Sequence, residues 1–195
     1  MIKLKAPYRR AVLSDARSLA DLVNFAGEGM PYYLWERMAK QGETAWEVGR
    51  SRAEREQGGF SYRNAIVADD NGGAVAALVG YKVADEPEPT DDLPPMFVPL
   101  QELENLVCST WYVNVLAAYP DHRNRGHGGR LLHIAEHLAA DLRLKGMSVI
   151  VSNTNHGARR LYERTGYSEI ARRPMVKEDW GNEGTEWVLL TKSLA

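Results

Sequence analysis

The stretch from Thr110 to Ser152 constrains the fold most. Thr110 to Ala118 is an apolar run that reads as a strand, a glycine- and arginine-rich turn follows it, and a helical pattern then runs from about Gly128 to Lys145 with Gly146 as its stop. Strand, turn and helix form one unit, and Ser148 to Ser152 is the next strand. The helix is amphipathic. At about 100° per residue, Leu131, Leu132, Ala135, Leu138, Ala139 and Leu142 share one face.

The elements around this unit follow from spacing and turn chemistry. Arg9 to Leu13 reads as a strand running into Ser14-Asp15, an N-cap pair for a helix with Ala16, Leu19, Leu22, Val23 and Ala26 on one side; Gly27 and Gly29 end it. Pro31 suits the first turn of a second helix, and Thr44-Ala45-Trp46-Glu47 has the capping-box form that opens a third. Two apolar runs, Ala65 to Ala68 and Ala74 to Val83, flank Asp70-Asn71-Gly72-Gly73, which predicts a tight hairpin. Ala84 to Pro95 holds five acidic residues, no basic ones and four prolines, and reads as an exposed insertion. A short helix from Pro99 to Leu106 precedes the central strand. Beyond Ser152 come a helix from Asn155 to Thr165 stopped by Gly166, a strand from Tyr167 to Arg172 and a last strand from Thr185 to Lys192. This order predicts an α/β fold of the α+β kind: a central mixed, mostly antiparallel sheet of six to seven strands with helices on both faces.

Size and charge bound the function. A chain of 195 residues, 44% hydrophobic and 26% charged, is expected to fill one compact domain, residues 1–195. A net charge of −2 gives no broad basic surface for nucleic acid. Cys108 is the only cysteine, so no internal disulfide forms. Met1 to Lys5 lacks the apolar core of a signal peptide and no stretch has bilayer length, so a cytoplasmic location away from the membrane is expected.

The chemistry concentrates between Asp121 and Arg130. Three arginines and three glycines stand just before a helix, and the segment carries a local charge of about +2. Glycines let backbone N–H groups approach a ligand, and a helix start adds unpaired donors and the positive end of its dipole, so the segment is suited to a pyrophosphate. A Walker A loop would need Gly-Lys-Ser/Thr, and G-x-G-x-x-G fails because Leu131 stands where the third glycine belongs. The pattern present is Arg123-x-x-Gly126-x-Gly128, after Leu116-Ala117-Ala118-Tyr119-Pro120 and before Leu131-Leu132. A second pattern, Asn155-x-x-Ala158-x-x-Leu161-Tyr162-x-x-x-Gly166-Tyr167, follows the strand Ser148 to Ser152.

Together these resemble the two signatures of the GNAT superfamily of N-acetyltransferases, specifically from Tyr112 to Tyr167. The resemblance implies a single acetyltransferase domain with its acetyl-CoA-binding core at about residues 110–167 and acceptor-site elements in the N-terminal helices at about residues 14–57. It implies that Leu116, Ala117 and Ala118 hold the pantetheine arm by strand-like hydrogen bonds beside a bulge, the Leu116 N–H polarising the thioester carbonyl. It gives the pyrophosphate to Arg123, Asn124, Arg125, Gly126, His127, Gly128, Gly129 and Arg130, and further cofactor contacts to Asn155, Ala158 and Tyr162. Ala118 stands where the family more often has valine, and His127 at a variable position. Tyr162 is the implied acid for the leaving thiolate, since a phenol of pKa roughly 10 matches a thiolate of roughly 8.5 or above. Asn155 either binds cofactor or caps its helix.

The acceptor must react as a neutral amine, and an ammonium of pKa roughly 10.4 starts with a handicap of roughly 4.6 kcal/mol at pH 7, so a base or water chain is required. Glu102 and Glu104 are candidates by position, although a solvated helix face accounts for both, and neither is taken as catalytic. No histidine neighbours Cys108 in sequence, which favours direct attack in a ternary complex over a covalent route. The acceptor class is a small-molecule amine or a peptide or protein amine. Tyr32, Tyr33, Trp35 and Trp46 line an acceptor pocket or pack as core, and the acidic insertion attracts a cationic amine or is simply solvated.

Two other readings compete. His133-Ile134-Ala135-Glu136-His137 matches the H-x-x-E-H zinc pattern of a metallohydrolase, but both histidines lie nearly opposite the apolar face, so no metal is expected. A non-catalytic acyl-CoA sensor would keep the fold and drop the chemistry; retention of Tyr162 argues against it. Dimerisation is common in the family, and the strand Thr185 to Lys192 is a candidate for the interface of a homodimer.

Overall fold

Asn71 and Gly72 form the expected two-residue turn: in the computed structural model, which describes residues 3–194, their φ angles are 53° and 86°. Both are positive, as a tight hairpin of this hand requires. The Asp69 carboxylate closes the turn by accepting the Gly72 N–H at 2.8 Å. The turn joins β2 (Ala65–Asp70) to β3 (Gly73–Lys82), with Asp70 opposite Gly73. Met1 and Ile2 of the N-terminal segment, and Ala195, lie outside the described residues.

The other strands are β1 (Tyr8–Arg10), β4 (Trp111–Ala118), β5 (Gly146–Ser152), β6 (Ser168–Pro174) and β7 (Glu186–Ser193). The seven form one mixed sheet in the order β1-β2-β3-β4-β5-β7-β6. β4 pairs with β5 in parallel, at Trp111 with Met147 and Tyr112 with Ser148, while β1–β2, β2–β3, β5–β7 and β6–β7 are antiparallel. The sheet expected from the order of elements is therefore present.

The chain divides into two compact units, one of residues up to Tyr81 with Asn114–His133, the other of Lys82–Val113 with Ile134 onward. In the first, α1 (Ala16–Ala26), α2 (Met30–Met38) and α3 (Ala45–Ala53) share a core with the strands. Leu19, Leu22, Trp35, Val67, Val79 and Val115 are buried in one apolar cluster there. Trp35 reaches it because α3 carries glycine at 49, where a Cβ would lie 2.5 Å from its ring. Thr44 and Glu47 make the capping box, with bonds of 3.3 and 2.8 Å. Asp15 departs from expectation: it lies in a 3-10 turn, Leu13–Asp15, and makes no side-chain cap on α1. Its buried carboxylate instead takes two bonds from the Arg9 guanidinium, at 2.7 and 3.0 Å, and the Val12 N–H at 2.8 Å. A charge this far from water needs such pairing.

In the second unit β7 lies between β5 and β6, pairing with β5 over seven residues from Gly146–Ser193 to Ser152–Trp187. Both its backbone edges are used within the sheet, so a homodimer that involved Thr185 to Lys192 would have to use side chains of β7 rather than a free strand edge. The sheet ends on β6, whose edge carries charge: Arg172 bridges Glu169 at 2.6 Å and Glu186 at 2.9 Å. Such charges disfavour edge-to-edge pairing. The acidic insertion is exposed but tied down, because Asn105, just past α4 (Val98–Glu104), bonds the Glu88 backbone at both N–H and C=O, at 2.9 and 2.8 Å.

The helix α5 spans His127–Asp141 and ends earlier than the glycine at 146 suggested. Arg143, at φ 55°, makes the left-handed stop, and the Leu144 N–H bonds back to the Ala139 carbonyl at 3.0 Å. Leu142, placed on the buried face by periodicity, therefore lies past the helix and is 55% exposed. Gly146 is the first residue of β5, where a Cβ would come within 2.5 Å of the Lys192 carbonyl of β7. Its need for glycine is close backbone approach, not helix termination.

Candidate active site

The predicted phosphate loop lies wholly in the first unit. After β4, Pro120–His122 forms a 3-10 turn, Asn124 and Gly126 take φ of 59° and 84°, and the chain enters α5. The first bond of that entry runs from the Arg130 N–H to the Gly126 carbonyl, at 3.2 Å. The N–H groups of His127, Gly128 and Gly129 thus belong to the helix's first turn, which finds no acceptor within the helix. A Cβ at Gly126 or Gly129 would meet nothing within 4 Å. Gly126 is required by its φ, whereas Gly129 has no packing reason to lack a side chain, and it leaves open space over the turn.

The side chains divide by role. Arg123 braces the loop: its Nε donates to the Ala118 carbonyl at 3.3 Å and its guanidinium lies 5.9 Å from the centre of the Phe25 ring on α1. Tyr119, at the end of β4, donates to Asp21 at 2.7 Å and stands edge-on to Phe25; burial, and then Asp21, push its phenol up to about 12. Arg125 and Arg130 are exposed. Leu116, Ala117 and Ala118 are half-buried, with Ala117 packed against the core of α1 to α3. Leu116 lies four positions past Tyr112, the last residue of β4 in register with β5.

The second motif lies in the other unit, on α6 (His156–Arg164). Asn155 is its N-cap, accepting the Ala158 N–H on Oδ1 at 3.1 Å. At the far end Gly166, at φ 92°, makes the left-handed cap, with bonds from Gly166 N–H to the Glu163 carbonyl at 3.1 Å and from Tyr167 N–H to the Tyr162 carbonyl at 3.0 Å. That pair of bonds is the Schellman motif, and it explains why glycine and an aromatic residue follow the tyrosine at this spacing. Tyr162 is buried, and its phenol is raised well above the ordinary range by desolvation. Tyr167 is raised further, by burial and by the neighbouring Tyr162 and Glu136, and its sealed hydroxyl has no hydrogen-bond partner.

Sequence reasoning passed over one group. Burial, and then Glu88, raise Glu104 to about 7, while Glu102 beside it is held by Arg173 at 2.6 Å. No periodicity separates the two; only the position of the acidic insertion does. Among the aromatic residues Trp35 is core, 3% exposed, while Trp46, 5.2 Å from the Tyr32 ring centre to centre, is 38% exposed. His133 and His137 are exposed on α5. Among the described residues no group of three or more His, Cys, Asp or Glu could hold a metal ion, and no helix is long and apolar enough to cross a membrane.

Several solved structures share this architecture. A crystal structure of an acetyltransferase superposes with a TM-score of 0.66 at 16% identity, over 96% of this chain and 99% of that one. An N-acetyltransferase from Staphylococcus aureus Mu50 gives 0.61 at 16% identity, over 94% and 98%. A GNAT family acetyltransferase from Elizabethkingia anophelis, solved with acetyl-CoA bound, gives 0.50 at 22% identity, over 67% and 75%. No curated protein matches the sequence. The model of the acetyltransferase (GNAT) family matches residues 31–167, which takes in nearly all of α2, the strands β2 to β5, the turn from Arg123 to Arg130 and α6. This chain is therefore a member of the GNAT family of acetyltransferases.

Proposed function

We propose that the chain transfers an acetyl group from acetyl-CoA to a primary amine by direct attack in a ternary complex. The observation that carries this reading is the turn from Arg123 to Arg130: a left-handed Gly126, three N–H groups in the first turn of α5 and open space over Gly129. A pyrophosphate fits that combination, because it offers negative charge and acceptor oxygens to donors already fixed in place. Acetyl-CoA supplies an activated thioester. Arg125 and Arg130 add exposed positive charge beside the turn, and Asn124 shapes it. Arg123 contributes by bracing rather than as a free cation.

Leu116 offers its backbone N–H to the developing oxyanion, and Ala117 and Ala118 align the pantetheine arm along the strand. Tyr162 serves the leaving thiolate. With its pKa raised, it is a weaker acid than a free phenol and keeps its proton throughout the working pH range, so it acts first as a hydrogen-bond donor to the thiolate. Asn155 and Ala158 contribute by holding α6, which carries Tyr162. Glu104 is the group whose basicity best suits removal of a proton from the acceptor, since a base poised near 7 is about half ionised at neutral pH and accepts a proton readily. The acceptor is a small-molecule amine or the amine of a peptide or protein.

The test is release of CoA thiol from acetyl-CoA with a panel of polyamines, amino acids, aminoglycosides and peptides. An amine-dependent signal that falls about 100-fold in Tyr162→Phe supports the reading. Tight binding of acetyl-CoA with no turnover on any amine would favour a sensor.

A further inference from the structure

The mechanism leaves the side chains of Tyr8, Asp70, His122 and His127 unused, although all four lie around the start of α5 in the first unit. Tyr8 on β1 places its hydroxyl 3.2 Å from Nδ1 of His127, the first residue of α5, with the two rings edge to face. His122, in the 3-10 turn, approaches Asp70 at the hairpin tip, Nε2 to Oδ2 at 3.4 Å, and its Nδ1 is sealed with no partner. Arg125 also bears on His127, and Arg130 on Tyr8. Burial lowers His127 below the ordinary histidine range, His122 and Arg125 lower it further, and only Asp70 opposes them. Its backbone N–H also lies in the first turn of the helix, where the dipole disfavours a cation.

We propose that His127, seated on Tyr8, takes up a proton when the cofactor's pyrophosphate binds, so that the affinity for coenzyme A rises as pH falls. The proposal rests on the reading of this turn as the pyrophosphate site. The unliganded arrangement resists protonation because burial disfavours the imidazolium and, after that, because His122 and Arg125 outweigh Asp70. A dianionic group on the adjoining N–H donors reverses that balance, and the imidazolium then adds a charge the ligand can use. The Tyr8 bond survives the change. Burial raises the Tyr8 phenol, so it keeps its proton: it donates to Nδ1 of the neutral ring and accepts from Nδ1–H of the charged one.

Because the histidine pKa is higher with ligand bound, the extra affinity is fully present below the unliganded pKa and is lost as pH rises through the liganded one. A rise of one unit on binding corresponds to an affinity about tenfold higher at the acid end. Dephospho-CoA is the probe, since its pyrophosphate does not titrate near neutrality and it lacks the 3′-phosphate, whose pKa of about 6 would confuse the reading. Calorimetric titrations run in buffers of different ionisation enthalpy, at about pH 6 and about pH 8, should show proton uptake at the lower pH and an affinity about threefold tighter there, part of the roughly tenfold gain that is complete only below the unliganded pKa. His127→Gln should remove the uptake and flatten the affinity, whereas Tyr8→Phe, which leaves the imidazole in place, should keep the uptake. An NMR titration of the His127 ring with and without dephospho-CoA reads the same shift in the unaltered protein. Binding with no proton uptake, or full uptake in His127→Gln, would overturn the proposal and leave the cofactor reading intact. Failure of the wild-type protein to bind at either pH would overturn both.

Discussion

Tyr162 and Tyr167 are joined twice, by a backbone bond of 3.0 Å from the Tyr167 N–H to the Tyr162 carbonyl and by rings whose centres lie 5.4 Å apart. The cap that ends α6 thereby also fixes the residue proposed to face the thiolate. The two phenols should respond differently to loss of their oxygen. Tyr167 holds a sealed, unpartnered hydroxyl, so Tyr167→Phe removes a buried polar atom that gains nothing and should leave stability unchanged or raise it by up to about 1 kcal/mol. Tyr162→Phe should melt near the wild-type temperature and lose about 100-fold in kcat. Thermal denaturation and steady-state kinetics on both variants separate the cap from the chemistry.

Gly126 and Gly129 should fail for different reasons. Alanine at 126 must adopt a φ of 84°, which costs about 1–2 kcal/mol and distorts the turn. At 129 there is no such strain, and leucine would point into empty space. Gly129→Leu should therefore keep its melting temperature within a few degrees while raising KM for acetyl-CoA at least about tenfold; an unchanged KM would remove the turn from the binding site.

Glu104 gives the pH dependence a direction. As the base it must be ionised, so kcat/KM should climb with pH through about 7 and level above it, and Glu104→Gln should lose both this limb and most of the rate. The stability effect has the opposite sign. The folded protein holds the Glu104 proton more tightly than the unfolded chain does, so the contribution is fully present below the unfolded carboxyl value and is lost as pH rises through about 7. Glu104→Gln should therefore melt higher than wild type at about pH 8 and equally at about pH 4. A rate profile without that limb in the wild type would dismiss Glu104.

Asn155 separates capping from binding. Loss of its 3.1 Å bond to the Ala158 N–H should cost about 1 kcal/mol in Asn155→Ala, while Asn155→Asp and Asn155→Ser keep a cap and most of the stability. If Asn155 only caps, all three should share the wild-type KM for acetyl-CoA well below their melting temperatures.

The elements most legible in the sequence are those set by local chemistry. Asn71-Gly72, Thr44 with Glu47, and Gly166 each act through φ or a bond within three residues, and each is where the pattern placed it. The misreadings concern glycine or acid whose reason is distant. Gly146 looks like a helix stop, yet it answers to Lys192 on another strand, while the true stop is Arg143, a residue with no particular preference for that conformation. Asp15 has the form of an N-cap and is drawn off by Arg9. Glu102 and Glu104 look alike until Arg173 engages one and the insertion shields the other. The turn from Arg123 to Arg130 is legible because its glycines follow from backbone geometry; its support by Tyr8 on β1 and Phe25 on α1 is not, because both lie far from it in sequence.

The place of β7 bears on how the chain is made. A segment near residue 190 lies between two that emerge earlier from the ribosome, near residues 150 and 170. Until it arrives, β5 and β6 each expose a bare row of backbone donors and acceptors toward a gap, and neither can pair with the other in its final register. The second unit therefore cannot close until residue 193 is free, and its unpaired strand edges stay exposed until then.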